Sequence, residues 1–223
     1  MNQDFISKTR DFWTDALKKK QLSYPSESVV RFLANCRVSG NSPVRRAIDI
    51  GFGSGRHLGL LLREGYRTSG CELIQEAISA AKELYGSSPL LEELVEADFR
   101  TYPFAPESFD VILCVGSYLT GQDDLSSLSG LLRPGGRLFV DYRTPFSWFA
   151  GLGEELSADF YHLDERAGQY SGSFYYFPTE DSLMSQFHNS GLVCENFERF
   201  DWWKKNQSEL HSWWIAWLMK EGR

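Results

Sequence analysis

The stretch Ala47-Ile48-Asp49-Ile50-Gly51-Phe52-Gly53-Ser54-Gly55-Arg56-His57 constrains this chain more than any other. A short apolar run carries a carboxylate, three glycines then alternate, and an amphipathic segment with Leu58, Leu61 and Leu62 follows. Alternate glycines clear side chains from a place where a ligand must lie against the backbone. They also supply the angles of a tight strand-to-helix turn.

The rhythm that starts there continues. Arg46 to Ile50 reads as a first strand, and the Leu58–Leu62 helix is closed by Gly65. Arg67 to Cys71 reads as a second strand. Ile74, Ala77, Ile78, Ala81 and Leu84 hold helical spacing up to Gly86. Leu94-Val95 leads into Asp98 as a short third strand, and Phe109 to Val115 is the continuous apolar run of a strand covered on both faces. A helix around Asp124 to Leu132 ends at the turn Arg133-Pro134-Gly135-Gly136, before a fifth strand from Arg137 to Asp141. Strands alternating with helices predict an α/β fold, a doubly wound and mostly parallel seven-stranded sheet with helices on both faces. Thr179 caps a later helix that ends before Gly191. Val193 to Phe200 and Trp213 to Met219 then form an antiparallel C-terminal strand pair, because Lys204 to Glu209 is too short for a parallel crossover. At the other end, Phe5, Phe12, Trp13, Ala16 and Leu17 make the apolar stripe of one helix. Tyr24-Pro25 breaks it, and Ser26 caps a second helix.

A chain of 223 residues, 42% hydrophobic and 24% charged, suits one globular domain with a real core. No run of eighteen apolar residues suggests a membrane span, and Met1 to Arg10 is too polar for a signal peptide. Cys36, Cys71, Cys114 and Cys194 form no CxxC pair and read as buried thiols, which places the protein in a reducing cytoplasm. A net charge of −7 argues against a nucleic-acid partner. No spacing of His, Asp and Glu suggests a metal.

The glycine spacing separates two kinds of ligand. A nicotinamide-dependent oxidoreductase needs G-x-G-x-x-G, and its third glycine would fall on Arg56. Asp49 would also set like charge beside a diphosphate, whereas a carboxylate there suits a cationic ligand. A module that binds the same ligand without catalysis is a further alternative.

Over residues 46–145 the chain resembles the class I S-adenosylmethionine-dependent methyltransferases. Asp49-x-Gly51-x-Gly53-x-Gly55 matches their first motif, and Glu72 stands 21 residues after Gly51 at the end of the second strand. Ala97-Asp98-Phe99, Ser108 to Cys114 and Leu131 to Leu138 match the motifs that follow in order. The resemblance implies S-adenosyl-L-methionine as cofactor, with S-adenosyl-L-homocysteine as product. It implies cofactor contacts from Asp49, Gly51, Phe52, Gly53, Gly55, Glu72, Leu73, Asp98, Phe99, Cys114, Val115 and Gly116. Asp49 would orient the ammonium, Glu72 both ribose hydroxyls, and Asp98 the adenine amino group, with the Phe99 amide on the adenine ring. On this reading 1–43 is an N-terminal helical cap, 44–141 the cofactor-binding core, 142–177 a substrate-side insertion, and 178–223 the C-terminal helix and strand pair.

Direct displacement of a methyl group needs alignment more than chemical help, with a base only where the acceptor carries a proton. The acceptor is expected to be a small molecule methylated on O or N, with a hydroxyl-bearing metabolite or sugar derivative preferred. Tyr118, Asp141, Tyr142 and His162 are the candidate acid–base groups, and Tyr24, Tyr118 and Arg143 the candidate substrate contacts. The pocket is expected under the N-terminal helices around Tyr24 and under residues 142–177, whose eleven aromatics follow no clean period. Trp202, Trp203, Trp213, Trp214 and Trp217 lie far in sequence from the glycine turn. Alternation assigns them to packing against helices or against a second copy in a homodimer.

Overall fold

A computed structural model gives the fold and describes residues 3–19, 22–38, 45–116 and 119–222. Six α-helices and ten strands are present among them. The central sheet runs β3 (Leu91–Glu96), β2 (Arg67–Glu72), β1 (Arg46–Ile50), β4 (Phe109–Cys114), β5 (Leu132–Arg143), β10 (Glu209–Lys220), β9 (Leu192–Lys204). The first five strands are parallel. The last two are antiparallel, β10 pairing with both β5 and β9.

Alternation sorts the core into two layers. Ile48 and Ile50, Ile112 and Cys114, Leu138 and Val140, and Trp214, Ala216 and Leu218 point to one side. There they meet Leu125 and Leu128 of α5 (Gln122–Leu131) and Leu183 and Phe187 of α6 (Glu180–Asn189). Ala47, Val111, Leu113, Phe139 and Ile215 point to the other, against Val29, Phe32 and Leu33 of α2 (Glu27–Val38) and Leu60 and Leu61 of α3 (Arg56–Arg63). A strand that presents apolar side chains to both faces has to be covered twice, which is why β1, β4 and β5 lie centrally. Helix α4 (Gln75–Tyr85) packs Ala77, Ile78 and Ala81 against Phe52 and Leu58.

Two expected boundaries move, while α4 ends at Gly86 as expected, with that glycine at a right-handed φ of −62°. β3 begins at Leu91, before the apolar pair. The turn 133–136 lies inside β5 as a bulge: pairing with β4 jumps from Phe109↔Leu132 to Val111↔Arg137, with Gly135 at φ +76°.

Residues 142–177 are not irregular. After Arg143, β6 (Gly153–Ser157), β7 (Phe160–Leu163) and β8 (Phe174–Tyr176) make a second, antiparallel sheet, with a 3-10 turn over Glu165–Tyr170 between the last two. Its own small core is Phe149, Leu163, Ala167 and Phe177. Helix α1 (Gln3–Lys19) joins the two sheets. The Phe5 ring packs at 4.8 Å on Phe174 and 5.7 Å on Phe160, while Trp13 and Leu17 pack against the Phe52 cluster.

Candidate active site

The carboxyl ends of the parallel strands hold two adjoining hollows, where open α/β sheets place their ligands. The first, of about 260 Å³, has the glycine turn as its floor. Gly51, Gly53 and Gly55 all adopt positive φ, 66°, 52° and 75°, so the turn between β1 and α3 can be built only from residues without a Cβ. Gly53 donates its amide to Oε2 of Glu72 at 2.8 Å, and the Leu73 amide donates to Oε1 at 2.7 Å. The carboxylate thereby couples the end of β2 to the turn. Each oxygen keeps a second lone pair for a hydroxyl donor. Burial pushes the Glu72 carboxyl up, and the amides of Gly53, Leu73 and Ile74 pull it back.

Asp49 is fully buried behind the turn, and its Oδ2 finds no donor. Its carboxyl is raised well above the ordinary range, first by burial, then by Glu72, with Arg56 opposing. A buried, orphaned carboxylate oxygen behind a bare glycine turn is the place for a cationic head group. The residues present therefore fit S-adenosylmethionine, which joins an ammonium and a sulfonium to a ribose diol.

Helix α1 and the chain after it roof this hollow with Thr9, Arg10, Trp13, Ala16, Leu17 and Leu22. A Cβ on Gly53 would stand 3.7 Å from Leu17 Cδ2, so the helix lies directly over the turn. Three polar contacts hold the linker to the turn: Ser54 Oγ donates to the Leu22 carbonyl at 2.6 Å, Arg56 Nη1 to the Tyr24 carbonyl at 3.3 Å, and the Ser26 amide to His57 Nε2 at 3.2 Å. Burial, then Arg56, lowers His57 to about 3, and the neutral ring leaves Nε2 as acceptor. None of these roof residues was among the cofactor contacts that the motifs imply. Their only trace in the sequence was the apolar stripe of α1.

A small adjoining hollow of about 20 Å³ shares Gly51, Glu72 and Leu73 and adds Phe99. Asp98 lines none of these hollows. Its Oδ1 accepts from the Arg100 amide at 3.1 Å and from Arg100 Nη1 at 3.0 Å, while Arg100 Nη2 donates to Asp124 at 2.9 Å. The expected adenine acceptor is thus engaged by a neighbouring cation. Phe52, Leu73, Val115 and Gly116 line the first hollow. Cys114 does not: its side chain is fully buried in the sheet core, so only its backbone can border a ligand.

The second hollow, of about 110 Å³, is lined by Trp13, Gly116, Leu119, Asp141, Tyr142 and Arg143, and by Phe160, Phe174, Tyr175, Tyr176 and Trp213. Gly116, at φ +65°, donates its amide to Asp141 Oδ1 at 2.6 Å. Burial raises the Asp141 carboxyl, with the Gly116 amide, Arg143 and Arg56 opposing. Arg143 lies 3.8 Å over the Trp213 ring. Tyr142 is buried with an unpartnered hydroxyl, raised well above its usual value by burial, which favours the neutral phenol.

Three expectations need correction. Tyr24 turns its ring to solvent, 86% exposed, and contributes only its carbonyl, because Pro25 and the Arg56 contact fix the backbone there. His162 stacks on Phe174 at 4.6 Å and lines neither hollow, since β7 pairing holds it opposite that ring. Trp213, assigned to packing alone, does pack against the core on the α2 side and also lines the second hollow. Tyr118 lies outside the described residues. Among the described residues no group of His, Cys, Asp and Glu could hold a metal ion, and no helix is long and apolar enough to cross a membrane.

Residues 48–140 match the methyltransferase-domain family. No curated protein matches the chain. Among solved structures, an S-adenosylmethionine-dependent methyltransferase from Methanosarcina mazei is 16% identical. It covers 90% of this chain and 100% of its own at a TM-score of 0.66. A Burkholderia thailandensis 1,6-didemethyltoxoflavin-N1-methyltransferase, crystallised with 1,6-didemethyltoxoflavin and S-adenosylhomocysteine, is 19% identical, with 98% and 86% covered and a TM-score of 0.63. The [4+2]-cyclase SpnF has the same fold at 12% identity, 98% and 95% covered and a TM-score of 0.65. The family match spans the glycine turn and the strands behind it, so residues 48–140 form a methyltransferase domain, and the turn at its head fits S-adenosylmethionine.

Proposed function

We propose that the protein methylates an O or N atom of a small-molecule acceptor held in the second hollow, by direct displacement. The observation that carries this reading is the seam between the hollows: Gly116 and Trp13 line both, and Asp141 stands beside Gly116. When bound in the first hollow, the cofactor supplies a methyl carbon on a sulfonium, and its sulfur keeps the bonding electron pair. The chain has to align the acceptor atom across the seam and accept its proton. Asp141 suits the second task because burial raises its carboxyl toward the working range of a base. The rings of α1, β7, β8 and β10 close the second hollow around a flat molecule and keep water out. The Burkholderia neighbour, an N1-methyltransferase crystallised with 1,6-didemethyltoxoflavin, supports a small-molecule acceptor. A cytoplasmic setting is the corresponding proposal, since the cysteines form no disulfide among the described residues.

The test is transfer of label from methyl-labelled S-adenosylmethionine to a panel of phenols, heterocycles and sugars, with S-adenosylhomocysteine followed by mass spectrometry. Labelled product in step with S-adenosylhomocysteine is the expected result. Tight NADH binding with no affinity for S-adenosylhomocysteine would sink the reading.

A further inference from the structure

Arg143 closes β5 and forms one wall of the second hollow, where its surroundings differ from those of the arginines paired with carboxylates. Arg46 pairs with Glu92, Arg100 with Asp98 and Asp124, Arg133 with Asp110, and Arg137 with Glu195. Arg143 has no such carboxylate among the described residues. Its guanidinium is held by rings: Cζ lies 3.8 Å over Trp213, 5.2 Å over Phe149 and 5.6 Å over Tyr170. Nη2 donates to the Tyr170 hydroxyl at 3.3 Å, a long contact, the Tyr175 hydroxyl is a further polar neighbour of the guanidinium, and Nη1 is buried without an acceptor of its own.

Such a cation is expensive to keep. A guanidinium does not give up its proton, so burial cannot be relieved by neutralisation. Stacking on an aromatic face returns only part of what a guanidinium loses where it is taken out of water. Asp141, two residues back on the same strand, does not resolve this. Its Oδ1 receives the Gly116 amide, and it makes no ion pair with Arg143 among the described residues. Trp213 fixes the guanidinium plane on one side. The remaining walls are rings: Phe160 and Phe174 stack at 6.1 Å and 16° to each other, with Tyr175, Tyr176 and Trp13 around them.

We propose that the acceptor is a flat ring bearing a carboxylate, its two oxygens taken by the planar fork of Arg143 and its ring packed among Trp13, Phe160, Phe174 and Trp213. A fork fixed on an aromatic face matches a carboxylate in two parallel hydrogen bonds, and the match is lost for a neutral amide. The hollow is about 110 Å³, smaller than the roughly 150 Å³ cavity that takes one benzene, so it excludes a second ring and its own ring walls must part to admit the first. The inference rests on the methyltransferase reading, since it names the acceptor class for that site. It also replaces the sugar-like acceptor expected from composition with an acidic ring.

The test uses the full-length protein with and without S-adenosylhomocysteine. Titration calorimetry compares 3-hydroxybenzoate and 4-hydroxybenzoate with their carboxamides. The acids are expected to bind at least tenfold more tightly than the amides. Arg143→Met should erase that preference and Arg143→Lys should keep part of it, each with S-adenosylhomocysteine affinity within twofold of the parent. Equal binding of acid and amide, or no binding of either acid, would overturn the proposal, as would an undiminished preference in the Met variant. Should that variant fail to fold, the acid-to-amide comparison on the unaltered protein decides alone. S-adenosylhomocysteine binding without acid selectivity defeats this inference only. Acid selectivity without S-adenosylhomocysteine binding defeats the methyl-transfer reading instead.

Discussion

Gly116 and Asp141 lie 25 residues apart, yet the glycine amide donates to the aspartate Oδ1 at 2.6 Å, and this bond ties the turn after β4 to the end of β5. It explains why those two strand ends can border two hollows at once. Asp141→Asn retains an acceptor for the Gly116 amide, whereas Asp141→Ala does not. The Asn variant should keep S-adenosylhomocysteine affinity within about twofold while slowing methyl transfer about 100-fold, the usual worth of a general base. The Ala variant should weaken cofactor binding as well. Calorimetry and turnover measured together separate the two effects; equal loss in both variants would deny the bond its structural part.

Glu72 takes an amide from each side of the turn, so its removal should disturb the loop as well as any hydroxyl contact. Glu72→Ala leaves the Gly53 amide without its acceptor, a loss of about 1–3 kcal/mol when buried. We expect a drop of 100-fold or more in S-adenosylhomocysteine affinity by calorimetry. Glu72→Gln, which keeps one acceptor oxygen, should fall between the variant and the parent.

The raised Asp49 carboxyl makes cofactor binding pH-dependent. A cation placed beside it favours the ionised form, so its value falls on binding and a proton is released. Affinity for S-adenosylhomocysteine should therefore climb with pH until the raised carboxyl of the free protein, well above the ordinary carboxylate range, has ionised. Calorimetry in two buffers of different ionisation enthalpy should count the released proton, and Asp49→Asn should abolish it.

His57 sets an acid limit on stability. Its folded value of about 3 lies below the 6.5 of the unfolded chain, so between those values the unfolded chain binds more protons. Stability is then fully present above pH 6.5 and declines as pH falls toward 3, by up to about 1.4 kcal/mol per pH unit. His211, lowered to about 4 first by burial and then by Arg143, adds in the same direction. Urea midpoints at neutral and acid pH should converge in His57→Gln, whose amide can still accept from Ser26.

Arg100 bridges Asp98 and Asp124, and all three side chains are largely buried. Arg100→Met strands two carboxylates in the interior. A cost of about 3–5 kcal/mol is expected in urea unfolding. A change below 1 kcal/mol would mean that Asp98 is held by something other than this cation.

The glycine turn and the parallel strands were legible because each depends on local chemistry: positive φ at Gly51, Gly53 and Gly55, and apolar runs long enough to be covered twice. The small sheet was not. β6 to β8 are three to five residues long, and most of their rings are half-buried, so inside and outside do not alternate. Trp213 was misread for a related reason. Its register opposite Arg143, set by pairing of β10 with β5, brings it to the site from 70 residues away. The exposed Trp202 and Trp203 sit on the edge strand β9 and remain consistent with surface or partner packing. Tyr24 looked like a roof residue because it lies beside a proline break. The roof is Trp13 and Leu17, one turn apart on α1, which a stripe pattern alone cannot tell from core.

Among the described residues Trp13 is the one side chain that walls both hollows, and it belongs to a helix fastened to the body before and after it. Settling α1 over one ligand fixes the same indole against the other. The second ligand then meets a surface whose ordering cost has already been met, so its affinity rises, and the reciprocal holds with equal factor.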